Sequence, residues 1–138
     1  MRLTRRYRFS ASHRLHSHLL SEGENQRIYG KCNRLFGHGH DYVLEVSVAG
    51  PLDRATGRIV DLDTLDNLVA LEVIQPFEHK NLNTEVDAFR EIVPTTENLA
   101  SEIHSRLIHG WTAVFGSAGP ELDRIRIEET KRNYIELA

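Results

Sequence analysis

The chain of 138 residues has a single cysteine, Cys32. One thiol closes no internal disulfide, so the fold cannot depend on an oxidising compartment. No apolar run approaches the roughly 18 residues of a membrane-spanning helix, and none is expected. The first residues enter a strand pattern at once, with no signal-peptide core, so a cytoplasmic location is the expectation. Positive charge is not in excess: 17 Lys and Arg stand against 20 Asp and Glu, a net charge of −3. That balance argues against a nucleic-acid partner and leaves room only for a local basic pocket. There is no internal repeat and no low-complexity tract. What remains is ordinary for a soluble domain, 40% hydrophobic and 27% charged. The length predicts one domain, residues 1–138, with a core of its own.

The chemistry concentrates in Cys32-Asn33-Arg34-Leu35-Phe36-Gly37-His38-Gly39-His40-Asp41-Tyr42. Side chains alternate faces along a strand, so His38 and His40 share a face if a strand starts at His38. Tyr42, Leu44, Val46 and Val48 continue that parity, while Asp41, Val43, Glu45 and Ser47 make a more polar one. The two imidazoles are therefore in phase with a hydrophobic face. Near the N-terminus Tyr7, Phe9, Ala11 and His13 alternate with Arg6, Arg8, Ser10 and Ser12, which reads as a half-buried strand. Two antiparallel strands, roughly 4–13 and 38–49, bring His13 to His38 and His40. Three neutral imidazoles on a rigid sheet leave one tetrahedral position open, the catalytic form of a zinc site. A lone thiol beside histidines is a candidate reactive group.

The stretch from about 16 to 31 reads as a polar loop. His16 and His18 lie in it, and they are set aside as ligands because no rigid element holds them. Asp61 or Asp63 caps a helix running to about Ile74, with Leu62, Leu65, Val69 and Val73 as its stripe and Pro76 as its breaker. Thr95 or Thr96 caps a second helix with Leu99, Ala100, Ile103 and Leu107 inward, ended by Gly110. His104 and His109 suit the latter half of that helix as cations and need no further role. A terminal hairpin follows, with a turn at Lys131-Arg132-Asn133. Glu129 shares the parity of Ile125 and Ile127. It is either a strand-end group reaching water or a buried carboxylate awaiting hydrogen-bond donors. Glu78-His79, taken alone, reads as solvated surface. The order strand, strand, helix, helix, strand, strand predicts an α+β fold, a four-stranded antiparallel sheet with two helices on one face. Such a sheet has two open edges, to be protected or used.

Phe9-Ser10-Ala11-Ser12-His13-Arg14-Leu15, the Cys32 to Tyr42 stretch and Glu78-His79-Lys80-Asn81-Leu82-Asn83 resemble the 6-pyruvoyltetrahydropterin synthase family, which includes the 6-carboxytetrahydropterin synthases. So do Pro94-Thr95-Thr96-Glu97-Asn98 and Glu128-Glu129-Thr130. The five motifs span nearly the whole chain in the family's order. The resemblance implies the tunnelling fold (ββααββ), with subunits joining sheets into a barrel as a trimeric ring or a hexamer of two rings, and the active site where subunits meet. It implies a zinc lyase that takes 7,8-dihydroneopterin triphosphate, expels triphosphate and gives 6-pyruvoyltetrahydropterin. By that resemblance His13, His38 and His40 bind zinc, and Cys32 accepts the proton with Glu78 and His79 as its relay. Glu129 anchors the pterin, and Thr95, Thr96 and Glu97 line its pocket. Arg14, Lys31 and Lys80 are candidates for the triphosphate by charge alone. Glu78 departs from the family's aspartate, and a displacement of about 1.5 Å at such a group can cost ~100-fold in rate. Activity is expected to survive, because the carboxylate orients a histidine and is not itself the base.

Two alternatives stand beside this reading. A 6-carboxytetrahydropterin synthase of deazaguanine (queuosine) biosynthesis shares the zinc, cysteine and anchor. Five residues between Cys32 and His38, and the Thr-Thr-Glu-Asn form, look more like the pyruvoyl enzyme. A non-catalytic pterin-binding module would need no thiolate, and Cys32 argues against it.

Overall fold

The computed structural model describes residues 1–138. Its frame is a long antiparallel pair, β1 (Arg2–His13) and β2 (His38–Ala49). The register sets Phe9 opposite Tyr42, Ala11 opposite His40 and His13 opposite His38. The expected parity therefore holds. Phe9, Ala11 and His13 are buried on one face with Tyr42, Leu44, Val46 and Val48. β4 (Glu121–Thr130) pairs with β2 and β5 (Asn133–Leu137) pairs with β4, both antiparallel.

The sheet has five strands, not four. Lys80–Asn81 forms a short β3 that runs parallel to β1 at Ala11 and Ser12, giving the order β3-β1-β2-β4-β5. Two residues leave no pattern of alternation to read.

The region 16 to 31 is not simply a loop. Glu22–Tyr29 is a helix, α1, followed by a 3-10 turn at Gly30–Asn33. Ser21 accepts from the Glu24 N–H while the Glu24 carboxylate accepts from the Ser21 N–H, a complete capping box. Asn25, fully buried, ties the helix to the preceding chain by donating to the Ser17, Leu20 and Ser21 carbonyls.

Asp61 caps α2 (Leu62–Val69), whose Leu65, Leu68 and Val69 are buried. Pro76 does not end this helix. A π-helical turn at Ala70–Ile74 widens the coil, and α3 (Gln75–Phe77) continues from it. The wide turn relieves the clash between a proline ring and the carbonyl one turn earlier. α4 (Leu82–Glu85) is a single turn.

The main helix, α5 (Thr96–Phe115), begins at its cap Thr95 and runs five residues beyond Gly110. Gly110 is a contact point and not a stop. A Cβ there would lie 2.9 Å from Leu68 Cδ1, so the missing side chain lets α2 and α5 approach. Trp111, read from sequence as connection, is helical and donates through its indole to the Pro120 carbonyl.

The helices cover one face of the sheet and enclose a core of 22 buried hydrophobic residues. The other face carries charges: Arg6 pairs with Glu45 at 3.2 Å, and Arg126 lies 3.6 Å over the Tyr134 ring.

Candidate metal centre

Gly37 starts the site. It has φ 65°, and a Cβ on it would sit 2.2 Å from the His13 carbonyl oxygen. Only glycine lets the chain turn into β2 so close to the end of β1. The register then completes the cluster. Ring centroids are 5.0 Å apart for His13–His38, 4.9 Å for His13–His40 and 4.6 Å for His38–His40. One nitrogen from each ring lies within 4.8 Å of the others.

His13 is 1% exposed, and its Nδ1 donates to the Pro94 carbonyl at 2.8 Å. That bond fixes the tautomer and leaves the Nε2 lone pair facing the cluster. The Nε2 atoms of His13 and His40 are buried and have no hydrogen-bond partner. A buried polar atom left unpaired is costly unless something else satisfies it. Burial holds both rings below the ordinary imidazole pKa, so they are neutral, the state a metal requires. Three imidazole nitrogens, two of them orphaned, fit a divalent metal.

Glu129 faces the cluster. Its Oε1 is 3.5 Å from both His13 Nε2 and His40 Nε2, beyond a good hydrogen bond and within reach of a shared ligand. The β4–β5 ladder slips between Glu128 and Thr130, which releases Glu129 from regular pairing at the strand's end. Of its two sequence readings, the inward carboxylate is the one realised: its side chain is 17% exposed.

Cys32 lies on the 3-10 turn, partly buried, and its carbonyl accepts from the Leu15 N–H at 2.8 Å. Burial raises its thiol pKa, and the Glu129 charge raises it further. Tyr42, fully buried beneath the histidines, is pushed far above the usual phenol range by burial, then by the Glu129 and Cys32 charges. Thiol, carboxylate and imidazoles thus share one neighbourhood.

Glu78 and His79 stand elsewhere. His79 has φ 57°, donates its N–H to the Ser10 carbonyl, and has an 80% exposed side chain. Glu78 Oε1 is 2.9 Å from His79 Nε2, and its Oε2 accepts from the Ser10 N–H. His79 lines a shallow pocket with Ser10, Ser12, Gly39 and Asp41, which His40 of the cluster also borders. No hydrogen bond within the chain joins it to Cys32.

At the start of α5, Thr95 spends its hydroxyl on the Asn98 N–H, Thr96 is buried and Glu97 is exposed. Pro94 and Tyr42 are the contributors that residue-by-residue reading missed. Pro94 acts through a backbone carbonyl, which no sequence pattern reports. Tyr42 did share the histidines' parity.

The family model described as "6-pyruvoyl tetrahydropterin synthase" matches residues 2–138. A 6-pyruvoyl tetrahydrobiopterin synthase of Drosophila melanogaster is 41% identical over 135 residues, 96% of this chain and 76% of the relative. The solved Caenorhabditis elegans 6-pyruvoyl tetrahydropterin synthase superposes with a TM-score of 0.88 at 37% identity, covering 99% of this chain and 94% of that one. A Rickettsia conorii 6-carboxy-5,6,7,8-tetrahydropterin synthase is 23% identical over 152 residues, covering 99% of each chain. With the family matched from end to end, the chain belongs to the 6-pyruvoyl tetrahydropterin synthase family.

Proposed function

We propose that this chain is a zinc-dependent lyase that converts 7,8-dihydroneopterin triphosphate to 6-pyruvoyltetrahydropterin with loss of triphosphate. The observation that carries the reading is the pair of buried, unpartnered Nε2 atoms of His13 and His40 beside His38, with a carboxylate facing them. His13, His38 and His40 would hold zinc, which would supply Lewis acidity toward a substrate oxygen and so favour loss of a proton from the adjacent carbon. Glu129 accepts the paired N–H donors of the pterin's 2-amino and N3 edge, a charge-assisted fork. Thr95, Thr96 and Glu97 border the ring's pocket.

Cys32 takes the proton. Inside one protomer the charge acting on Cys32 is that of Glu129, which opposes the thiolate. Two changes favour it. Pterin donors on Glu129 offset that charge, and the Glu78–His79 pair of a neighbouring copy brings a relay for the proton. The separation of Glu78–His79 from Cys32 within the chain supports a site completed between copies. The outer edge of β1 meets β3 only at Ala11 and Ser12, and β5 closes the other edge of the sheet with nothing beyond it. Open edges of this kind suit a homo-oligomeric barrel, a trimer or a hexamer.

Zinc-loaded protein incubated with 7,8-dihydroneopterin triphosphate tests the reading, with triphosphate release followed and the pterin identified by mass. The expected product is 6-pyruvoyltetrahydropterin. A 6-carboxy product with acetaldehyde, or tight pterin binding without turnover, overturns it.

A further inference from the structure

Beside the metal centre lies a cavity of about 620 Å³ that the chemistry above does not use. Its wall holds Arg14, His16, His18 and Arg90, with Glu91 its sole acidic member. The i, i+2 pair His16 and His18, set aside as metal ligands, faces this space with ring centroids 5.4 Å apart. No third ligand joins them, since the triad His13, His38 and His40 forms the chain's metal-type cluster. The pair therefore needs another reading.

Its donors are largely uncommitted. Arg14 uses Nε on the Asn33 carbonyl, and its terminal amino groups have no partner. Asn33 donates to His16 Nδ1, which leaves the His16 proton on Nε2. His18 makes no side-chain hydrogen bond, and Arg90 contributes Nε alone to Asp87. The basic groups crowd one another: after burial, Arg14 and then His18 depress the proton affinity of His16, against an opposing pull from Glu22. An anion would relieve that crowding.

Position narrows the anion. Three segments run directly from the metal cluster into the cavity wall. Arg14 follows His13, Leu35 and Phe36 precede Gly37-His38, and Val93 precedes the Pro94 whose carbonyl holds His13. Consecutive Cα atoms are about 3.8 Å apart, so the wall begins one residue from the ligands. Asn33, next to Cys32, donates to both the Leu15 carbonyl and His16.

We propose that this cavity is a polyphosphate subsite, in which Arg14, His16, His18 and Arg90 receive the triphosphate of the substrate. This rests on the function proposed above and adds the residues that hold the leaving group. It reassigns two of the charge-based candidates. Lys80 lines a separate pocket, with His79 and His40, and Lys31 is outside the cavity wall.

The probe is inorganic triphosphate, titrated calorimetrically into the full chain with zinc and again without, so that chelation of zinc by the probe is separated from binding to protein. Wild type is expected to bind in both forms, with affinity falling steeply as salt rises. His18→Asn, which breaks no hydrogen bond, and Arg90→Gln each weaken binding about tenfold, the loss of one charge-assisted contact. Both variants bind unphosphorylated dihydroneopterin as wild type does. Equal triphosphate affinity in wild type and both variants overturns the assignment, as does no binding to the zinc-free wild type. If wild type binds triphosphate here but does not turn over the phosphorylated pterin, the proposed function fails and the subsite stands. If turnover occurs while the variants bind triphosphate normally, the subsite fails and the function stands.

Discussion

The two ends of the β1–β2 pair are built to opposite rules. At the end away from the histidines, the polar groups are matched. Thr4 and Ser47 share a hydroxyl hydrogen bond of 2.8 Å, and Asp66 on α2 accepts from Arg5 Nε and Nη2 and from the Tyr7 hydroxyl. At the His13 end, the same ladder of twelve residue pairs delivers two imidazole nitrogens to a buried place with no partner. The first end is complete as a folded chain. The second is complete only with a ligand. Polar satisfaction, more than shape, separates the structural end from the functional one.

The largest test of that contrast removes a donor. His38→Ala leaves two imidazoles, so zinc should no longer be retained at stoichiometric content and turnover should fall by about 100- to 1000-fold, the range expected when a catalytic charge-stabilising group is lost. Retention of stoichiometric zinc would erase the distinction between the ends. Glu129→Gln keeps the shape but offers an N–H where an acceptor is needed. Pterin affinity should drop about 100-fold, measured by equilibrium titration, because donors would be left facing donors. Gly37→Ala should destabilise the fold by about 1–3 kcal/mol, since the residue is left-handed and its Cβ meets the His13 carbonyl. Denaturant midpoints report that loss, and zinc affinity should weaken with it. Glu78→Asp should leave kcat within about tenfold, because the carboxylate orients His79 without taking a proton in the reaction itself.

The smallest effect belongs to the satisfied end. Arg5, then Tyr7, hold the Asp66 carboxyl below its ordinary pKa. Its contribution is present above the unfolded value of about 3.9 and is lost as pH falls through the lowered folded one. Asp66→Asn should therefore flatten the acid limb of the stability profile and leave zinc binding at neutral pH untouched.

The contrast also explains what could be read from residues alone. The triad was legible because a period of two and one antiparallel register are enough to place His13, His38 and His40 together. Glu129 was legible in part, since a carboxylate on an apolar parity announces itself. Local signals misled where packing overruled them. Pro76 and Gly110 are breakers by composition, yet a widened turn absorbs one and the contact with Leu68 requires the other. The helix at Glu22–Tyr29 was announced by Ser21 and Glu24, but its mainly polar sequence hid it. β3 and the Pro94 carbonyl left no trace, because each depends on where a distant segment returns.

The wide turn at Ala70–Ile74 has a consequence for how this chain can vary. It holds one residue more than a regular helix needs. Each residue turns a helix by about 100°, so the surplus sets the direction in which the chain leaves toward Glu78 and His79. Loss of a single residue there would regularise the coil and keep its hydrogen bonds, yet swing the exit to another side. The segment is thus an indexing element: its length encodes an angle, and it can be changed without touching any residue that does chemistry.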